Sequence, residues 1–160
     1  MNREDFVNRF GGVFEHSPWV AEGAWDASVN PNSTSDLHAR MCAVLQGAER
    51  EKQLAVLMAH PDLAGKLAVT GELTADSTAE QASAGLDRCS PAEFEKFQAL
   101  NAAYREKFRF PFIIAVKGLT RGEILSAFGD RVNNDTETEF ATALRQVERI
   151  ALLRLEQMLS

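Results

Sequence analysis

Cysteine is scarce in this chain: Cys42 and Cys89 are two among 160 residues. They are too few and too far apart for a disulfide framework, and they lack metal-ligand spacing, so both read as buried free thiols of a reducing, cytoplasmic protein. Long apolar runs are absent too. No stretch approaches the ~20 residues that a membrane-crossing helix requires, and the amino terminus shows no positive stretch followed by an apolar core, so neither a span nor a secretory signal is expected. The last residues, Gln157-Met158-Leu159-Ser160, are not a peroxisomal address. An excess of basic charge is missing as well: 17 Lys and Arg stand against 23 Asp and Glu, a net charge of -6, which argues against a nucleic-acid partner. No HExxH, CxxC, GxGxxG or P-loop pattern occurs, which removes zinc-protease, dinucleotide and nucleoside-triphosphate readings.

What is present fits one globular domain spanning 1–160, with 45% hydrophobic and 25% charged residues. Apolar spacing is helical almost throughout, so an all-α fold is expected. Phe6, Phe10, Val13 and Phe14 read as one face of a first helix, and Leu37, Met41, Val44 and Leu45 as the face of another. Ser17 followed by Pro18 reads as an N-cap with proline at the first helical position. Leu54, Leu57 and Met58 mark a helix that stops at His60, because the residue before Pro61 is pushed out of the α region. Ser90 to Glu93, Thr120 to Glu123 and Thr136 to Glu139 have the capping-box spacing; the first opens a helix with the face Phe94, Phe97, Asn101, Tyr104 and Phe108.

Phe110-Pro111-Phe112-Ile113-Ile114-Ala115-Val116 has the β-branched content of a buried strand, yet no second strand candidate exists to pair with it. An extended or loosely helical segment lining a pocket is expected, its amides available to a polar ligand, with Lys117-Gly118 turning the chain. In the last helix, Phe140, Leu144, Val147, Ala151, Arg154 and Met158 follow one stripe, which sets Arg154 among core positions. A guanidinium there needs a partner, either a carboxylate of this chain or an anionic ligand.

Taken singly, each candidate has a structural explanation. His60 can cap a helix end, Ser77 and Glu80 form a capping-box pattern, and Arg154 can be half of an ion pair. His16 and His38 read as surface or packing residues, without acidic or histidine neighbours at ligand spacing.

Taken together they point further. His60-Pro61-Asp62-Leu63-Ala64, Ser77-x-x-Glu80-Gln81 before Ala84-Gly85-Leu86, Asn101-x-x-Tyr104-x-x-Lys107-Phe108, Phe110-Pro111-Phe112-Ile113 and Arg149-Ile150-Ala151-x-x-Arg154-Leu155 occur in that order. The chain resembles the OHCU decarboxylase family, which acts on 2-oxo-4-hydroxy-4-carboxy-5-ureidoimidazoline in uric acid breakdown. The resemblance covers nearly the whole chain and departs from the family pattern at Arg109, where many relatives have glycine. It implies an all-helical, usually dimeric enzyme that releases CO2 and leaves (S)-allantoin without metal or organic cofactor. It further implies His60 as acid/base, Glu80 as its partner and Arg154 as the group that holds the substrate's carboxylate. Substrate contacts are implied for Pro61, for Ser77, Thr78, Ala79, Glu80 and Gln81, and for Phe112, Ile113, Ile114, Ala115 and Val116. Two other classes stand beside this reading: a non-catalytic helical module that binds a small molecule, and a metal-dependent hydrolase.

Overall fold

A computed structural model describes residues 1–61 and 91–160. Seven helices occur among them: α1 (Arg3–Phe10), α2 (Trp19–Ala24), α3 (Thr34–Gly47), α4 (Arg50–Ala59), α5 (Pro91–Phe108), α6 (Arg121–Arg131) and α7 (Thr136–Leu159). No strand occurs among the described residues, and the fold is all-α. The chain divides into two compact units, one of Met1–His60 with Val147–Ser160 and one of Pro61–Gln146, the second division falling within α7.

In the first unit, the Asn2 side chain caps α1 by accepting from the Asp5 amide at 2.8 Å. The helix ends at Phe10, sooner than expected, because Gly11 and Gly12 follow and glycine has little helix propensity. Val13 and Phe14 are buried as expected, but from the turn beyond. The expected Ser17 cap does not form: its hydroxyl donates to the Glu15 carbonyl at 2.9 Å, and Pro18 is itself the helical N-cap of α2. Close packing of α2 on α3 requires Gly23, where a Cβ would come within 2.8 Å of Val44. Ser33 caps α3, accepting from the Asp36 amide. On α4 the buried residues are Val56 and Leu57, whereas Leu54 and Met58 are exposed. The stripe continues from Val56 and Leu57 to His60 at four- and three-residue steps, which turns Leu54 and Met58 outward. Near the end of α7, Ala151, Arg154 and Leu155 are buried and Met158 is exposed.

The second unit is built around the single tyrosine. Tyr104 of α5 is fully buried, with Phe108, Phe110, Phe112 and Phe128 around it at centroid distances of 4.6, 5.8, 5.3 and 5.8 Å. Phe112 also stacks on Phe128 at 3.8 Å. Phe94, expected on this face, is exposed in the first turn of α5. The 110–116 stretch is buried and belongs to no sheet, in line with the sequence. Its backbone is served by side chains instead: Arg131 donates to the Ile113 carbonyl at 2.6 Å, and the Ala115 amide donates to Gln146 Oε1 at 2.9 Å. Val116 to Leu119 then close a turn in which Gly118, at φ 82, takes the left-handed position that a side chain would strain. Arg109 occupies such a position with a side chain, at φ 67, immediately after α5.

The capping box of Thr120 and Glu123 is present in full. The one expected at Thr136 is not. Asp135 caps α7, accepting from the Thr138 amide and hydroxyl, while Glu139 is wholly buried. A buried arginine explains why: Arg131 meets Glu139 there, so the carboxylate is taken inward and a residue one step earlier does the capping. Ser90 and Cys89 lie outside the described residues.

Candidate active site

His60 follows the last residue of α4 with an extended backbone, ψ 140, the conformation that Pro61 demands. It is buried, 7% exposed, and its Nδ1 lies 3.0 Å from the Val56 carbonyl. A carbonyl oxygen only accepts, so Nδ1 carries the proton and, in the neutral ring, Nε2 holds the free lone pair. Burial pushes the imidazole below its ordinary value of 6.5. The Val56 carbonyl and the Glu15 carboxylate oppose that shift, and Arg154 and His16 add to it. Near neutrality the ring is therefore chiefly a base.

Arg154, as its place in the helical stripe predicts, is buried, at 4% exposure. Its Nη1 lies 3.4 Å from Glu15 Oε2 and donates to the Val13 carbonyl at 3.2 Å. One partner is thus a carboxylate of this chain, and Glu15 is itself only 1% exposed. Sequence spacing did not reveal Glu15, since it sits in the turn after α1, where no periodicity says which way a side chain points. The first unit therefore brings together a base, an anion and a cation: His60, Glu15 and Arg154.

Of the other expected site residues, Pro61 and Phe112 to Val116 belong to the second unit. Two polar groups of that segment, the Ile113 carbonyl and the Ala115 amide, are bonded to side chains of the same unit. Ser77, Thr78, Ala79, Glu80 and Gln81 lie outside the described residues. His16 is exposed, as expected, and His38 is half-buried, its Nε2 2.8 Å from the Glu148 carbonyl and 3.3 Å from Cys42 Sγ. Cys42 is a buried free thiol, its pKa pushed up to about 12 by burial and by Glu148, which disfavours the reactive thiolate. Among the described residues no group of three His, Cys, Asp or Glu side chains is placed to hold a metal ion.

An all-helical protein with an imidazole base and a carboxylate–guanidinium pair, all buried, has the parts for proton transfer on a small anionic substrate. The chain belongs to the OHCU decarboxylase family, whose family model matches residues 1–156. It is 48% identical over 158 residues to the 2-oxo-4-hydroxy-4-carboxy-5-ureidoimidazoline decarboxylase of Halalkalicoccus jeotgali, covering 98% of this chain and 86% of that one. The enzyme of the same name from Haloferax volcanii is 46% identical, covering 100% of this chain and 92% of that one. Among solved structures, a crystal structure of (S)-allantoin synthase matches with a TM-score of 0.79 at 34% identity, covering 99% of this chain and 51% of that one.

Proposed function

We propose that the chain, acting over 1–160 as one enzyme domain, decarboxylates 2-oxo-4-hydroxy-4-carboxy-5-ureidoimidazoline to (S)-allantoin in urate breakdown. Family membership over nearly the whole length supports the reaction. The single structural observation that carries the reading is a buried His60 whose tautomer presents Nε2 as a base in the same unit as a buried arginine.

The chemistry suits so small a residue set. When the bond to the carboxylate breaks, CO2 leaves and the electron pair enters the neighbouring imine, whose nitrogen takes a proton; the substrate is its own electron sink, and no cofactor is needed. The resulting enol becomes a ketone when the hydroxyl proton is removed and a proton reaches the ureido-bearing carbon. His60 Nε2 takes the first proton and delivers one to a single face, which fixes the enantiomer. Arg154 holds the substrate carboxylate, a contact suited to its planar fork. Glu80 orients the imidazole, and Pro61, Ser77 to Gln81 and Phe112 to Val116 are the remaining substrate contacts, all carried over from the family pattern. The family resemblance likewise supports a homodimer, and the free thiol of Cys42 fits the cytoplasm.

The test generates the unstable substrate in place from urate and follows circular dichroism with and without the protein. A rapid appearance of (S)-allantoin, lost by roughly 100-fold or more in His60→Ala, is expected. An unchanged rate of racemic decay would refute the reading. A binding module would keep its ligand affinity in His60→Ala, and a hydrolase would lose activity to a chelator.

A further inference from the structure

Glu15 is a buried carboxylate to which the proposed mechanism assigns no part, and three observations give it one. First, the turn that carries it grips Arg154 twice: Glu15 Oε2 lies 3.4 Å from Nη1, and the carbonyl of Val13 accepts from the same nitrogen at 3.2 Å. Second, the turn is held in a demanding shape. His16 has φ 49, a left-handed backbone that strains a residue with a side chain and persists where the surroundings enforce it. The Ser17 hydroxyl ties the turn by donating to the Glu15 carbonyl at 2.9 Å. Third, the charged and titratable groups that bear on His60 among the described residues are Glu15, Arg154 and His16, and of these Glu15 alone favours the imidazolium.

We infer that Glu15 is a positioning residue for this site, holding the Arg154 guanidinium in place and supplying the negative charge that lets His60 pass through its protonated form. The inference rests on the function proposed above. An acid/base group must visit both protonation states in each turnover. Burial and the Arg154 guanidinium favour the neutral ring; the Glu15 carboxylate restores access to the charged one while setting the direction of Arg154. No contact between Glu15 and substrate is required.

The experiment follows the three histidines of the chain by NMR titration in wild type, Glu15→Gln and Glu15→Asp, beside kcat and KM as functions of pH. In Glu15→Gln, which keeps the size and removes the charge, the His60 titration is expected to move to lower pH. The acidic limb of kcat/KM should move with it, and kcat should fall roughly 10-fold or more. Glu15→Asp keeps the charge and is expected to restore the titration and part of kcat. A folded Glu15→Gln enzyme with the wild-type titration and kcat overturns the inference. Should Glu15→Gln not fold, the comparison moves to Arg154→Met against Arg154→Met/Glu15→Gln, where the pair is neutral; identical His60 titrations in these two overturn it equally. Wild-type protein without turnover on the generated substrate would instead refute the proposed function, and the titrations would still report whether Glu15 acts on His60.

Discussion

Among the described residues, each compact unit buries one arginine against one glutamate, and the two pairs are built differently. Arg131 gives Nε and Nη2 to Glu139 Oε2 at 2.9 and 2.6 Å and Nη1 to the Ile113 carbonyl at 2.6 Å. Glu139 also accepts from the Tyr104 hydroxyl and from Asn134, and the ring of Phe112 lies 4.3 Å from the guanidinium. Arg154 meets Glu15 through Nη1 at 3.4 Å, beyond the range of strong charge-assisted bonds. The first pair is a closed structural network: its short bonds fix the extended 110–116 segment, which has no sheet to hold it. The second couples its charges to a neighbouring base. A buried ion pair is weak evidence for stability in general, so bond geometry and neighbours, not burial alone, distinguish the two uses.

The largest effect should come from breaking the tight pair. Glu139→Ala strands Arg131 and the Tyr104 hydroxyl, and urea denaturation is expected to show a loss of about 3–5 kcal/mol. If the loss were under ~1 kcal/mol, the network would not be what holds the 110–116 segment.

Arg154→Met removes the cation that faces buried Glu15 and should lower stability by about 3 kcal/mol, less than the first change because the bonds between the two are fewer and longer. Adding Glu15→Leu should recover most of that loss while activity stays absent. Arg154→Lys should fold well yet raise KM, because an ammonium cannot reproduce a two-pronged contact. A large stability loss in Arg154→Met together with near-normal substrate affinity would move this pair into the structural class.

His60 sharpens the contrast through pH. Its folded-state pKa lies below the ordinary 6.5, so as pH falls through that value the unfolded chain binds the proton first and stability declines. His60→Gln should flatten this part of the stability profile, as read from denaturation at a series of pH values; an identical slope in the variant would contradict the burial effect.

The smallest effect concerns the backbone leading into the segment that Arg131 holds. Arg109 at φ 67 stands where glycine is at ease, and Arg109→Gly should raise the melting temperature slightly, by up to ~1 kcal/mol of stability, with the left-handed strain relieved against the entropy that glycine adds to the unfolded chain. A melting temperature that falls would mean that the Arg109 side chain contributes more than the strain costs.

Helix existence, the stop at His60 and the burial of Arg154 were legible because periodicity and proline act locally. The same spacing would have found the second arginine: Ile124, Phe128 and Arg131 stand at four- and three-residue steps on α6, all buried. Glu139 was misread because the capping-box pattern also describes a glutamate that faces inward, and only a distant partner decides between the two. Glu15 was hidden for another reason: after Gly11-Gly12 the backbone leaves the helix, and without a period a sequence carries no direction for a side chain. The lone extended segment was correctly kept out of a sheet, but its partners, Arg131 and Gln146, come from other helices and could not be paired from spacing.

The distribution of chromophores follows from the core already described. Both tryptophans, Trp19 and Trp25, lie in the first unit, and the single tyrosine, Tyr104, lies at the centre of the second. Each unit therefore carries its own spectroscopic signature: tryptophan fluorescence senses the surroundings of one, and the nuclear resonances of the tyrosine ring sense the other. During unfolding the two signals act as independent witnesses, and their coincidence or separation along a denaturant series tells whether the units melt as one cooperative body.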